Sequence, residues 1–204
     1  MLLQHLPSEM YPLLARYLQL LSHWNQKMNL TAVRDPQSLV RLHLGECLRA
    51  AQRIPPEVET VLDFGSGAGF PGIPITIARP ELRVTLAESQ KKKASFLGEA
   101  VRELGLKNAS IYAGRVEEMP ASIFDLVTLR AVDKMAEAMQ AAAPRIRLPH
   151  EYRQGWCMVL TSQTESAVIF DRRAQTGANA IDWSLPEPIP GTKQRVILLG
   201  SRIR

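Results

Sequence analysis

Val61-Leu62-Asp63-Phe64-Gly65-Ser66-Gly67-Ala68-Gly69-Phe70-Pro71-Gly72-Ile73-Pro74 is the stretch on which the fold turns. An apolar run over 60–64 reads as a buried strand, it passes directly into a glycine-dense turn, and the spacing then predicts a helix over 70–79. Glycine lets the backbone turn sharply and approach a ligand closely, because no Cβ intervenes. In a doubly wound sheet such a junction lies at the carboxyl ends of the strands, where ligands bind.

Downstream, short apolar runs alternate with helical periods. Strands are expected at 82–88, 109–113, 124–129 and 156–161, and helices at 90–104, 134–146 and 166–175. This β-α alternation predicts an α/β fold with a mostly parallel, Rossmann-like sheet and helices on both faces. Segments 180–183 and 195–200 close a seven-stranded sheet. The connection between them, with Pro186, Pro188, Pro190 and Gly191, is too short for a helical crossover, so this pair is expected to be antiparallel. Upstream, Leu6, Met10, Leu13, Leu14, Tyr17, Leu18, Leu21, Trp24 and Met28 follow one helical face, with Ser8 as the expected N-cap and Pro12 in the first turn. Asp35 and Pro36 predict the cap and first position of a second helix, which runs through His43 toward Ala51 and stops at Ile54-Pro55-Pro56. The expected organisation is therefore a helical extension over 1–56 and an α/β domain over 57–204.

The loop fits two nucleotide-like cofactors. Gly67, Gly69 and Gly72 satisfy GxGxxG, whose helix start holds the pyrophosphate of a dinucleotide. Asp63 with Gly65, Gly67 and Gly69 makes the DxGxGxG form, which resembles that of S-adenosylmethionine methyltransferases. Pro71 and Pro74 remove two N–H donors from the helix start. That loss weighs against a pyrophosphate and matters less for S-adenosylmethionine, which has no phosphate. Glu88, at the end of the second strand, is placed to accept from both ribose hydroxyls of either cofactor.

Further segments are similar to one family, the bacterial 16S ribosomal RNA 7-methylguanosine methyltransferases, also called glucose-inhibited division protein B. The matching segments are Asn29-Leu30-Thr31-Ala32-Val33-Arg34-Asp35-Pro36, His43, Asp63 through Pro74, Ala78-Arg79-Pro80, Glu88-Ser89-Gln90-Lys91-Lys92-Lys93, Gly114-Arg115-Val116-Glu117-Glu118 and Phe124 through Ala131. They run in order over about 25–131. The resemblance implies transfer of a methyl group from S-adenosylmethionine to N7 of a guanosine in small-subunit ribosomal RNA. It places Asp63, Gly65, Gly67, Gly69, Phe70, Glu88, Val116, Glu117 and Arg130 at the cofactor. Arg34, Arg115, Arg145 and Arg147 are candidates for RNA contacts, as are Lys91 to Lys93. Two alternatives stand beside this reading: a nicotinamide-dependent oxidoreductase, and a cofactor-binding RNA module without turnover.

Guanine N7 already presents a lone pair, so its methylation removes no proton, and no general base is expected, His43 included; Arg130 is expected at most to position the substrate. The chain departs from the family pattern at two places. Thr161 stands where a Lys-Gly pair is usual after the fifth strand, and Glu46-Cys47 replaces Asp-Ser after the histidine. The basic stretch Arg145, Arg147, His150 and Arg153 is the expected compensation for the missing lysine.

Composition bounds the rest. The chain has 204 residues, 46% hydrophobic and 22% charged, the balance of a globular protein. Its net charge of +5 is uneven: residues 1–129 carry 14 basic and 13 acidic side chains, and residues 130–204 carry 11 and 7. That excess suits a polyanionic partner without requiring one. Cys47 and Cys157 are far apart and lack flanking histidines, which argues against a disulfide framework or a zinc site. No leader and no run of about 18 apolar residues is seen. A cytoplasmic monomer without metal or membrane attachment is expected.

Overall fold

The computed structural model describes residues 7–131, 134–150, 153–171 and 180–203. Three helical stretches come first: α1 (Met10–Asn25), α2 (Pro36–Ser38) and α3 (Gly45–Arg53), with a π-helical turn over Leu39–Leu44 joining the last two. The sheet then alternates as expected: β1 (Thr60–Phe64), α4 (Gly72–Ala78), β2 (Arg83–Ala87), α5 (Lys91–Glu103), β3 (Ala109–Tyr112), β4 (Leu126–Arg130), α6 (Met135–Ala142), β5 (Trp156–Ser162) and α7 (Gln163–Asp171). It closes with β6 (Ile181–Trp183), β7 (Glu187–Pro188) and β8 (Arg195–Arg202).

The strand order is β3-β2-β1-β4-β5-β8-β6, with the two-residue β7 added on β8. Pairs from β3 through β5 are parallel, and β8 is antiparallel to β5 and β6. The antiparallel closing pair is thus present, and the proline-rich connection contributes one short strand that its composition concealed. The chain crosses from the β1-β2-β3 side to the β4-β5 side between β1 and β4, which makes that boundary the topological switch point.

Both faces of the central strands are covered. Val61, Leu86, Leu126 and Leu160 join α1, α3, α4 and α5 in one apolar cluster. Leu62, Val127, Leu129 and Val159 join Met135, Ala138 and Ala142 of α6 in the other. Two-sided burial explains why these strands read as continuous apolar runs.

Some local readings are corrected. Helix α1 begins at Met10, and its N-cap is Glu9 without a side-chain bond, so Ser8 does not cap it; Pro12 does fall in the first turn. Asp35 caps as expected, accepting from the Ser38 N–H at 2.7 Å, a contact worth about 1 kcal/mol. The helix expected over 134–146 is α6 followed by a 3₁₀ turn over Ala143–Arg145, since Pro144 blocks continuation. Residues 172–175 of the expected seventh helix lie outside the described residues.

Candidate active site

The glycine loop is shaped from beneath. Asp63 is fully buried: one carboxylate oxygen accepts from the Gly72 N–H at 3.2 Å and the other from the Thr128 hydroxyl at 2.8 Å. It therefore ties β1 to the start of α4 and to β4, inside the protein. Burial pushes its pKa up to about 6, against hydrogen bonds from Ser66, Thr128 and Gly72 that pull it down. Gly65, Gly67 and Gly69 have φ of 69°, 57° and 92°, a region other residues rarely enter. Gly72 meets a different demand, because a Cβ there would lie 2.6 Å from an Asp63 oxygen.

Tyr17 of α1 braces the loop from the side. Its hydroxyl donates to the Ala68 carbonyl at 2.7 Å, and its ring meets Phe70 edge-on with centroids 5.4 Å apart. Burial, its leading cause, raises its pKa well above the ordinary value, so the phenol stays a donor at neutral pH. Tyr17→Phe leaves the Ala68 carbonyl unsatisfied and is expected to cost about 1–2 kcal/mol. Denaturant melts check this.

Glu88 is 6% exposed and works on the loop as well as at the strand end. One oxygen accepts from the Gly67 N–H at 2.9 Å and the other from the Gln90 N–H at 2.7 Å. Above these bonds a cavity of about 510 Å³ opens at the carboxyl ends of the parallel strands, lined by Phe64, Gly65, Ala87, Gln90, Val116 and Glu117 among others. Of the sequence-derived cofactor residues, Gly65, Val116 and Glu117 line it directly. Asp63, Gly67, Gly69, Phe70, Glu88 and Arg130 are not among its lining residues, and Asp63 supports the loop from beneath.

Arg130 and Phe70 form a second group on the face covered by the N-terminal helices. The Arg130 guanidinium lies over the Phe70 ring, 5.5 Å from its centroid. Its Nε donates to Glu46 at 3.1 Å, and its Nη2 meets His43 Nδ1 at 2.5 Å. Because arginine can only donate, Nδ1 is the acceptor, so His43 is the neutral Nε2–H tautomer, and Nε2 donates to the Thr31 hydroxyl at 3.2 Å. Asn25 fixes Thr31 in turn, accepting from the Leu30 and Thr31 N–H groups and donating to the Thr31 carbonyl.

Burial, assisted by the Arg130 charge, lowers the His43 pKa to about 4. An unfolded His titrates near 6.5, so between these values the unfolded chain binds more protons than the folded one. The stability contributed by the neutral ring is complete above about pH 6.5 and is lost as the pH falls toward 4. An NMR titration of the His43 ring should show no protonation down to pH 5.

The expected RNA cations divide. Arg145 donates to the carbonyls of Pro120, Val116, Glu117 and Met119. Arg147 pairs with buried Asp125 at 2.6 Å, and Arg153 pairs with Glu59 at 3.2 Å. Arg145 and Arg147 are thus tied to main-chain carbonyls and to a buried carboxylate, whereas Arg153 stays on the surface in an exposed ion pair. Arg115 stands on the cavity lining, paired with Glu117 at 3.3 Å. Arg34 is exposed, as are Lys91 and Lys92. Thr161 is buried and donates to Glu165, while the Ser162 hydroxyl accepts from the Glu165 N–H. The departure from Lys-Gly is thus built into the start of α7. Glu46, Arg195 and Tyr17 were not legible as site residues. Tyr17 carried a signal only as a member of the α1 apolar face and Glu46 only as a departure from the family pattern after the histidine, and Arg195 carried none.

A switch-point cavity beside a glycine loop and a strand-end acid defines a nucleoside-cofactor fold, and solved structures specify which. The chain matches a SAM-dependent methyltransferase from Aquifex aeolicus with a TM-score of 0.63, at 16% identity over 89% of this chain and 98% of that one. It matches a ribosomal protein L11 methylase from Lactobacillus delbrueckii with a TM-score of 0.61, at 15% identity over 78% of this chain and 77% of that one. The fold is therefore that of the S-adenosylmethionine-dependent methyltransferases. Residues 10–167 match the family model of GidB, rRNA small subunit methyltransferase G, and the chain belongs to that family. Among its relatives, the ribosomal RNA small subunit methyltransferase G of Methylobacillus flagellatus is 46% identical over 132 residues, 64% of this chain and 63% of the relative. That of Stenotrophomonas maltophilia is 43% identical over 143 residues, 70% of this chain and 66% of the relative. The matches thus span a little under two thirds of these relatives' own lengths.

Proposed function

We propose that the protein transfers a methyl group from S-adenosylmethionine to N7 of a guanosine in 16S ribosomal RNA. The observation that carries the choice of cofactor is the fate of the N–H groups at the start of α4. Gly72 gives its N–H to Asp63, Ile73 gives its own to Gly69, and Pro71 and Pro74 have none. No row of free donors is left for a pyrophosphate, which disfavours a dinucleotide. A cofactor without phosphates fits the same loop. Family membership supplies the RNA substrate class.

In this reading Gly65, Val116 and Glu117 hold the nucleoside, and Glu88 accepts from the ribose while it holds Gly67. Gly67 and Gly69 keep the backbone low enough for close approach, and Asp63 acts through the loop it supports. Bound S-adenosylmethionine supplies a methyl carbon made electrophilic by sulfonium. Transfer of that methyl to the N7 lone pair would form a C–N bond as the C–S bond breaks and would move no proton. The protein's own task is alignment and exclusion of water, with Arg130 and Phe70 fixing one side of the site. Positive charge ends on the purine, so a polar environment fixed before the step favours transfer.

RNA reaches this site across Arg34 and the start of α5. Lys91, Lys92 and Lys93 occupy the first turn of α5, where cations oppose the helix dipole. Phosphate contacts are a reason to tolerate them there. The protein acts as a cytoplasmic monomer in which the helices of 1–56 serve the α/β domain of 57–204.

Two experiments test this. Calorimetry should show S-adenosylhomocysteine binding and no NAD binding; NAD binding alone overturns the cofactor assignment. Labelled methyl donor should mark N7 of a guanosine in naked 16S RNA or in assembled small subunits lacking the modification. Absence of label from both would make the protein a binding module without turnover.

A further inference from the structure

Arg130 is held by more groups than a surface arginine needs. Its side chain is 10% exposed and that of Glu46 is 2% exposed. Glu46 also accepts from Arg195, at 2.6 Å from Nε and 3.3 Å from Nη2, so one buried carboxylate bridges two guanidinium groups. Buried Arg-Glu-Arg bridges are poor stabilisers, because desolvation offsets most of their attraction and apolar side chains of similar volume serve as well or better. What they supply is a fixed direction for a charge.

The direction here is well defined. Nε is tied to Glu46, Nη2 to His43, and the guanidinium carbon lies over the Phe70 ring. Nη1 makes no hydrogen bond among the described residues. Both hydrogen-bond tethers come from the N-terminal helical region, and β8 contributes Arg195, which holds Glu46. His43 lies in the π-helical turn, where the Gly45 N–H bonds back to the Val40 carbonyl, and Glu46 follows in α3. π-turns of this kind recur at functional sites, and this one brings His43 and Glu46 to the same guanidinium. Arg195 lies beyond residues 10–167, the portion that matches the family model.

We propose that His43 and Glu46 are positioning residues that lock the Arg130 guanidinium against Phe70, with Arg195 anchoring Glu46, so that the N-terminal helices and β8 set the geometry of methyl transfer. The inference rests on the functional reading above. His43 acts as an acceptor only. Glu46 contributes its charge and its two-sided grip, and neither residue touches the reacting atoms. The charged and titratable groups that face this centre are Arg130, Arg195, Glu46, His43, Cys47, Asp63 and Tyr17.

A double-mutant cycle tests the proposal. Glu46→Gln is expected to lower kcat/KM for methyl transfer by about 30-fold, and Glu46→Asp, which keeps the charge, to retain at least about a third of the activity. In an Arg130→Ala background, Glu46→Gln should add less than about a threefold loss, because a residue that acts through another has no effect once the other is gone. Losses that multiply, or an Asp variant no better than Gln, would overturn the proposal.

A second readout needs no turnover. In ¹⁵N-arginine-labelled protein, the Arg130 Nε–H should exchange slowly and become fast in Glu46→Gln; protection that survives the substitution overturns the clamp. Should Glu46→Gln not fold, His43→Phe keeps the aromatic contact with Phe70 and removes the acceptor, and the same cycle applies. If the unaltered protein neither binds S-adenosylhomocysteine nor transfers methyl groups, the functional reading has failed, and the exchange experiment still decides the clamp.

Discussion

Gly69→Ala is expected to abolish measurable methyl-donor binding, with affinity for S-adenosylhomocysteine falling at least about 100-fold, while the protein still folds. Position 69 has φ of +92°, and a Cβ there would lie 2.6 Å from Ile73 Cδ1 and 3.1 Å from the Tyr17 hydroxyl. Ile73 is fully buried and has little room to retreat. Strain at such a φ costs roughly 1–3 kcal/mol, and forced repacking of a dense core adds about 1–3 kcal/mol more. The cheapest relief is for the loop to lift. That breaks the Tyr17 bond to Ala68 and shifts Gly67 away from Glu88, so the distortion passes directly to the ligand cradle. A melting temperature lower by roughly 4–24 °C follows from about 2–4 °C per kcal/mol for a chain of this size.

Gly105→Ala is the control. Its φ is +61° and nothing lies within 4 Å of the added Cβ, so it carries backbone strain alone, at the end of α5 and away from the cavity. Its expected result is a small loss of stability with unchanged affinity. Equal affinities for the two variants would show that the Gly69 loop is not the cofactor cradle.

The contrast between these glycines marks what the sequence disclosed. The pattern over 61–74 placed a ligand loop at a βα junction because strand period, glycine density and helix onset are local. Glu88 was legible for the same reason, as an acid at a strand end. Its bonds to Gly67 and Gln90 were not, since backbone partners leave no mark on residue type. Asp63 misled in the opposite direction: a motif acid suggests a ligand contact, whereas this carboxylate is consumed by Gly72 and Thr128. Arg145 and Arg147 misled likewise, because a cation facing RNA and a cation caging carbonyls have the same one-letter code. The π-turn at 39–44 was hidden because the apolar pattern of 36–53 also suits an unbroken α-helix. The group around Arg130 joins residues 43, 46, 70, 130 and 195, whose proximity depends on the completed sheet.

Arg130→Ala is expected to cut methyl transfer by about 10²-fold, the size of loss that misplacement of a reacting group brings, with a much smaller effect on stability. Removing one partner of a buried ion pair ordinarily costs about 3–5 kcal/mol, because the other charge is left uncompensated. Here Glu46 keeps Arg195, whose Nε and Nη2 remain on its two oxygens. The expected loss is therefore limited to the contact with Phe70, about 0.5–2 kcal/mol, and the hydrogen bond to His43. Stability measured by denaturant melts should fall by about 1–3 kcal/mol. Arg130→Lys retains the charge but cannot serve Glu46 and His43 with a planar fork, so it should recover stability better than activity. Calorimetry assigns the group that Arg130 serves. A loss of S-adenosylhomocysteine affinity places it at the cofactor carboxylate, whereas unchanged affinity with a depressed transfer rate places it at the RNA. Transfer and stability falling together, with Arg130→Lys restoring both equally, would make Arg130 a structural cation.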